Sequence, residues 1–589
     1  MSEKHQVDGA RLAILSNRLE GIASKMGNTL LKTGRSGVIN RAKDFSCCIV
    51  SSRCELIAAA ESLPAHVLGA ELITQSLLEL HPVLRKGDAF LHNSPYHGNG
   101  HAADHTILVP VIDENGTHHF TVLAKAHLAD IGNSIPTTYH AMAKDVYEEG
   151  ALIFPAVQVQ RDYEDIVDII RMCEMRIRVP ETWRGDYLAT LGAARIGERE
   201  MLALAKEIGW EQLHRFTSDW LEYSASRMSQ VISRLPAGNA EATSTHDAFP
   251  GTGENGVCIK SVVTIRPADG MIEVDLRDNP DSLPCGLNLT RATAWTAAMI
   301  GVFNSIDPTV PKNTGSCSRV KVHLREGCVA GIPVHPTSCS MATVNIADRV
   351  TNATQAAFST LADGIGMAEV GAILPPAVGV VSGYDPRTRK SYVNQIILGA
   401  SCGPGNPHTD GWQTLICSAA AGMPYHDSIE QDELYHPMRV YQRRYLPDTE
   451  GAGRNRGAFS IRVDFGPVGC EMEVGYASDG SANPPKGVRG GGTGGGASFW
   501  KIRVDGTTEA LPPVMQAKLA DGERIVSISC GGGGYGSPME RDLASVRRDV
   551  AAAMVSRERA ASVYGVVCGA DGTIDEKATA KLRSASRPG

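Results

Sequence analysis

Apolar residues along this chain follow two rhythms. From Leu12 to Thr33 they recur every third or fourth position, at Leu12, Leu15, Leu19, Ile22, Met26 and Leu30, with Asn17, Arg18, Ser24 and Lys25 opposite. That spacing predicts a helix with one face on a core. Helices are also expected at Leu68–Leu80, over the amphipathic run Glu164–Ile177, and from Trp183 to Ile208, where Ala189, Ala193 and Ala194 suit close helix packing. Leu289–Ser305 and Asn345–Thr360 read the same way. The second rhythm is that of short β-type runs, which place strands at Cys47–Ser51, Thr106–Ile112, Phe120–Ala126, Val257–Ile265, Met271–Asp278 and Ser318–Leu324. Asn115-Gly116 and Pro267–Gly270 lie between consecutive runs and predict two hairpins.

After Tyr435 turns dominate. Strands are expected at Phe459–Phe465 and Cys470–Tyr476, glycine runs at 490–496 and 531–534, and closing helices at Asp542–Val555 and Ser556–Tyr564, the last capped by Ser556. The pattern is that of a multi-domain α+β chain, mixing helices with antiparallel sheet and ending in a β-rich, Gly-rich region. At 589 residues it is too long for one core. The texture suggests an N-terminal α+β domain at 1–250, a middle α+β domain at 251–435, and a Gly-rich β region with closing helices at 436–589.

Composition narrows the function classes. A hydrophobic fraction of 42%, a charged fraction of 21% and a net charge of −8 describe an ordinary globular protein without the basic footprint of a nucleic-acid or anionic-membrane binder. The fourteen cysteines are scattered and form no C-x-x-C pair, the usage of a reduced, cytoplasmic protein. The start, MSEKHQVDGARLAIL, has no signal-peptide core, and the apolar run 366–383 is interrupted by Pro375-Pro376.

Candidate chemistry concentrates between Phe90 and Asp130, which holds His92, His97, His101, Asp104, His105, His127 and Asp130. In the hairpin expected there, the start of one strand lies beside the end of the next, so His101 and Asp104 approach His127. Imidazoles and carboxylates converging at a strand end bind a divalent ion such as zinc or manganese. The competing reading is a set of surface-loop histidines, since a single His-x-x-Asp is a weak motif. Asp44, just before a buried-looking strand, reads alone as a turn or capping residue. The glycine runs lack the Gly-Lys-Ser/Thr of a phosphate-binding loop and read as tight turns at a sheet edge. No Gly-x-Ser-x-Gly elbow occurs, so serine or cysteine nucleophiles are disfavoured.

Taken together, Arg41–Ser46, Asn93-Ser-Pro-Tyr96, His101-x-x-Asp104, Ala126-His127-x-Ala-Asp130-Ile-Gly132, Glu149-Gly150, Gly185-Asp186, Gly451–Gly457, Gly531–Pro538 and Tyr564-Gly565 resemble the hydantoinase B/oxoprolinase family along almost the whole chain. The resemblance implies the metal-bearing, cytoplasmic subunit of a two-component enzyme, partnered by a hydantoinase A-like subunit that binds the ATP. It implies metal ligands at Asp44, His101, Asp104 and His127, holding Zn²⁺ or Mn²⁺. It also implies hydrolysis of a cyclic amide (hydantoin, 5-oxoproline or lactam type) by a metal-activated water acting on a substrate phosphorylated in the partner. Asp130 and His105 are the candidate catalytic residues. Two departures from the family pattern stand out: Gly98–Asp104 reads GNGHAAD, and Leu128 stands where a second His is frequent. Asn99 and His105 resemble the acetophenone carboxylase branch, so a subunit of an ATP-dependent ketone carboxylase is the alternative function. A non-catalytic scaffold with a structural metal is the second alternative.

Overall fold

The computed structural model describes residues 9–60, 62–371, 374–400, 402–419, 424–569 and 571–585. Its N-terminal part is built on a seven-stranded sheet. The strands are β1 (Phe45–Ser51), β2 (Leu56–Ala59), β3 (Ala89–His92), β4 (Asp104–Ile112), β5 (His118–His127), β6 (Val157–Arg161) and β7 (Glu164–Asp165). They pair antiparallel in the order β2-β1-β5-β4-β3-β6-β7.

Both faces of this sheet are covered at its centre, which explains why β1, β4 and β5 are buried at nearly every position. Successive side chains point to opposite faces. Cys47, Ile49, Ile107, Val109, Val122 and Ala124 join one core with the stripe of helix Gly9–Thr33 and with Ala193 and Ala194 of helix Pro180–Ile208. Cys48, Val50, Leu108 and Leu123 face a second core, to which Met299 of helix Arg291–Phe303 and Val350 of helix Ile346–Leu361 belong. That second core draws on residues from Ala42 to Ala477. The metal-ligand candidates lie on this side.

Three further sheets follow. Val320–His323, Met271–Asp275, Val257–Arg266 and Gly238–His246 form one, with the expected hairpin at its centre and Val320–His323 parallel to its neighbour. Lys390–Gln395, Val380–Asp385, Met472–Ala477 and Val514–Leu519 form the next. Met438–Tyr445, Ile461–Pro467, Arg524–Ile528, Ser498–Ile502 and Thr508–Ala510 form the last. The α+β mixture expected from the periodicities is the observed fold class. Ser556 caps its helix as expected, its Oγ accepting from the Arg559 amide at 3.1 Å.

The differences have physical causes. The run Glu164–Ile177 opens as the edge strand β7 and turns helical only at Val167. The helix Trp210–Ile232 has no counterpart in the sequence reading, because polar Thr217 and Ser224 share its buried face with Leu213, Phe216 and Met228. The glycine runs are places where backbones cross in contact. A Cβ on Gly532 would lie 1.9 Å from the Gly403 carbonyl oxygen, and one on Gly457 1.9 Å from that of Gly532. Among the described residues no helix is long and apolar enough to cross a membrane.

Candidate metal centre

Strand register builds the site. Asp104 at the start of β4 is the direct partner of His127 at the end of β5. The His127 amide donates to the Asp44 carbonyl at 3.0 Å, which carries the β1–β5 pairing one residue beyond β1. Asp44, His127 and Asp104 therefore stand abreast across three strands. The row two residues below is polar: Ser46, Lys125, Thr106 and His92. The next is apolar: Cys48, Leu123, Leu108 and Phe90. The face thus grades from ionisable to oily over three layers.

His101, in the loop entering β4, completes the cluster. Its Nε2 is 2.8 Å from Asp104 Oδ1, and His127 Nδ1 is 3.1 Å from the same oxygen. Donor atoms of His101, Asp104 and His127 all lie within 4.8 Å of one another, and all three residues are buried. Separations of about 3 Å match the spacing of ligands held about 2.1 Å from a common ion.

Hydrogen-bond logic supports a cation at this point. His101 Nδ1 faces the Ser340 carbonyl at 3.0 Å. A carbonyl only accepts, so Nδ1 carries the hydrogen and the lone pair falls on Nε2. Two acceptors 2.8 Å apart repel unless a proton or metal ion lies between them. His127 Nε2 meets the Thr138 hydroxyl at 3.1 Å, and Asp104 Oδ2 has no hydrogen-bond partner among the described residues. Burial pushes the Asp104 carboxyl up, but the facing imidazoles of His101 and His66 outweigh it and hold the group well below the usual carboxylate range. Burial depresses His101, yet Asp104 raises it overall. The donor set and its field both favour a positive charge.

Asp44 stands one histidine away. His66 Nε2 is 3.5 Å from Asp44 Oδ1 and 3.4 Å from Asp104 Oδ2. The Asp44 side chain retains 13% exposure, whereas that of Asp104 has none, so Asp44 marks the open side of the cluster. These groups line a cavity of about 40 Å³, walled by Leu63, Val344, Val378, Ile397 and Ile416. That volume holds water and little more. The Tyr139 ring stacks on His127 with centroids 5.1 Å apart.

The remaining candidates lie elsewhere. His105 follows Asp104, so the pleat carries it to the opposite face, where its ring meets the edge of Phe154 and burial pushes its pKa down to about 3. Asp130 accepts from the amides of Gly132 and Arg178 and pairs with the Arg178 guanidinium, so its carboxylate is occupied in fixing a loop. His92 accepts from the Ala156 amide, and His97 Nδ1 meets the Ser94 hydroxyl. Sequence reasoning gave no role to His66, Thr138, Tyr139 or Ser340. The only available signal was a histidine two residues after Pro64, in what proves to be the short helix Pro64–Val67.

The hydantoinase B/oxoprolinase family matches residues 8–538. The caprolactamase beta subunit of Pseudomonas jessenii is 28% identical, over 98% of this chain and 99% of its own length. A protein of Pseudomonas sp. (strain NS671), named as the B component of a D-/L-hydantoinase, is 25% identical over 98% of each chain. The crystal structure of ATP-dependent caprolactamase from Pseudomonas jessenii superposes with a TM-score of 0.88 at 25% identity, over 98% of this chain and 100% of the other. A nucleotide-free acetone carboxylase shares the fold, with a TM-score of 0.87 at 16% identity over 98% and 83%. Expected from scattered motifs and matched over most of its length, the chain belongs to the hydantoinase B/oxoprolinase family.

Proposed function

We propose that this chain is the metal-bearing subunit of an ATP-dependent enzyme that opens a cyclic amide, acting beside a separate hydantoinase A-like subunit that binds the ATP. The observation that carries this reading is the buried convergence of the His101, Asp104 and His127 donor atoms within 4.8 Å of one another, a set with metal-ligand chemistry and spacing. The naming of similar proteins as the beta or B component of an enzyme supports a partner, as does the lack of a phosphate-loop sequence in this chain.

His101, Asp104 and His127 hold the ion, with Asp44 as the fourth donor from the open side. Two imidazoles with carboxylates suit Zn²⁺ or Mn²⁺. When bound, such an ion supplies Lewis acidity at the amide carbonyl and acidifies water. The chain's own residues do the rest. His66 Nε2, set between the Asp44 and Asp104 carboxylates, holds the proton released as water adds to the carbonyl carbon and returns it to the departing nitrogen. Thr138 and Tyr139 fix the His127 ring. The apolar walls exclude bulk water, which strengthens every charge interaction inside. Phosphorylation of the amide oxygen in the partner explains how an unstrained ring opens at all: the first water adds to that activated carbon, the ring nitrogen departs with the proton and leaves an acyl phosphate, and a second water releases the acid and inorganic phosphate.

Reconstitution with a hydantoinase A-like ATP-binding subunit tests this. ATP-dependent ring opening of caprolactam, hydantoin or 5-oxoproline is expected, together with about one bound metal per chain. Ring opening that persists in metal-free His101→Ala would leave this chain a scaffold. ATP-dependent uptake of labelled bicarbonate into a ketone, without lactam hydrolysis, would establish the carboxylase reading, for which the shared fold of acetone carboxylase is the support.

A further inference from the structure

The Glu149-Gly150 pair belongs to the motifs that signal the family, yet it touches none of the metal-centre residues directly. Glu149 ends the short helix Val146–Glu149, and Gly150 follows with φ of +71°. Its side chain is 3% exposed, and among the described residues it has no Lys or Arg ion-pair partner. A buried carboxylate without a cation is costly unless something nearby supplies positive charge. Glu149 Oε2 accepts from the Ser338 hydroxyl at 2.9 Å. The Ser340 hydroxyl accepts from the His140 amide at 2.9 Å, which leaves its own proton for Glu149. Burial pushes the Glu149 carboxyl above its usual range, against the hydrogen bonds from the two serines.

The serines sit on the segment that reaches the metal centre. Val146 N donates to the Pro336 carbonyl, Tyr96 Oη to that of Thr337, and Asn288 Nδ2 to that of Ser338. The Ser340 carbonyl receives His101 Nδ1. We propose that Glu149 is the positioning residue of His101: by anchoring the Ser338 and Ser340 hydroxyls it holds the Ser340 carbonyl against Nδ1, which keeps the Nε2 lone pair turned to Asp104 and to a bound cation. This rests on the metal reading above. Partners that orient a ligating histidine in this way typically contribute about 10- to 100-fold in metal affinity.

The test is a chelator-competition titration of Zn²⁺ and Mn²⁺ into the metal-free full chain, with thermal unfolding of the metal-free form alongside. Glu149→Ala and Ser340→Ala should each weaken binding about 10- to 100-fold. Glu149→Gln keeps an acceptor for the hydroxyls and should stay within about threefold of the native chain. The double variant E149A/S340A should lose no more than the weaker-binding single variant, because both break one contact. Native affinity in E149A and S340A would overturn the inference. So would equal losses in E149Q and E149A, or additive losses in the double variant. Should E149A not fold, S340A against E149Q makes the same distinction. If the native chain binds neither ion, the metal reading itself falls; if it binds and the variants match it, only the role of Glu149 falls.

Discussion

Two clusters of charge are sealed inside this molecule, and they treat that charge in opposite ways. Around Arg349 each guanidinium nitrogen meets an acceptor. Its Nε and Nη2 lie 2.8 and 2.7 Å from Asp479 Oδ2, and Nη1 is 3.7 Å from Glu369. Asp479 Oδ1 takes the amides of Asp247 and Gly480, while Glu369 Oε2 takes that of Lys486. Around Asp104, three imidazoles converge on one carboxylate, and its Oδ2 forms no hydrogen bond among the described residues. Matched buried charge holds a fold together, whereas mismatched buried charge waits for something to bind.

The sharpest way to break this contrast is to remove ligands. His101→Ala and His127→Ala should abolish bound metal and turnover in the reconstituted enzyme while leaving a folded chain. Retained stoichiometric metal, measured by elemental analysis, would dissolve the distinction. Arg349→Met should do the reverse. It strands Asp479 and Glu369 without a cation, a loss of about 3–5 kcal/mol, read as a lower unfolding temperature with metal content unchanged. Metal loss at normal stability in that variant would show that the two clusters are coupled.

Asp348 beside Arg349 gives a smaller, pH-dependent test. Burial raises its carboxyl to about 6, against the hydrogen bonds from the Ser418 amide and hydroxyl. Because the folded value lies above the unfolded one, its contribution is intact below pH about 4 and is lost as pH rises through about 6. Asp348→Asn should therefore match the native chain in acid and exceed it near neutrality, by up to about 3 kcal/mol. Parallel stability curves for the two proteins from pH 4 to 7 would contradict this. The smallest effect is expected at His105, on the far face of β4. His105→Phe should change stability by less than about 1.5 kcal/mol and leave metal content untouched. Loss of metal there would mean that the two faces of the sheet are not independent.

The hairpin was legible because two short apolar β-type runs flank Asn115-Gly116, which marks its turn. From that, the meeting of Asp104 with His127 follows by counting. Asp44 was ambiguous on its own and became a candidate through resemblance, because a carboxylate before a strand has many structural uses. His66, Ser340 and Glu149 were not legible as parts of the site. Ser340 meets His101 across 239 residues of chain, and no local periodicity encodes such a contact. The helix Trp210–Ile232 was hidden because its buried stripe spends two positions on hydroxyls, each returned to the helix backbone: Thr217 to Leu213 and Ser224 to Trp220.

The crossing glycines set a limit on how this protein can be changed. A methyl group at 532, 457 or 491 would fall within about 2 Å of a carbonyl oxygen on another loop, and no rotamer relieves a backbone collision. Diversity libraries aimed at the C-terminal third will therefore yield folded variants through insertions at open turns such as Gly506 or Gly572, where an added Cβ meets nothing, and hardly any through side-chain replacement along the crossings.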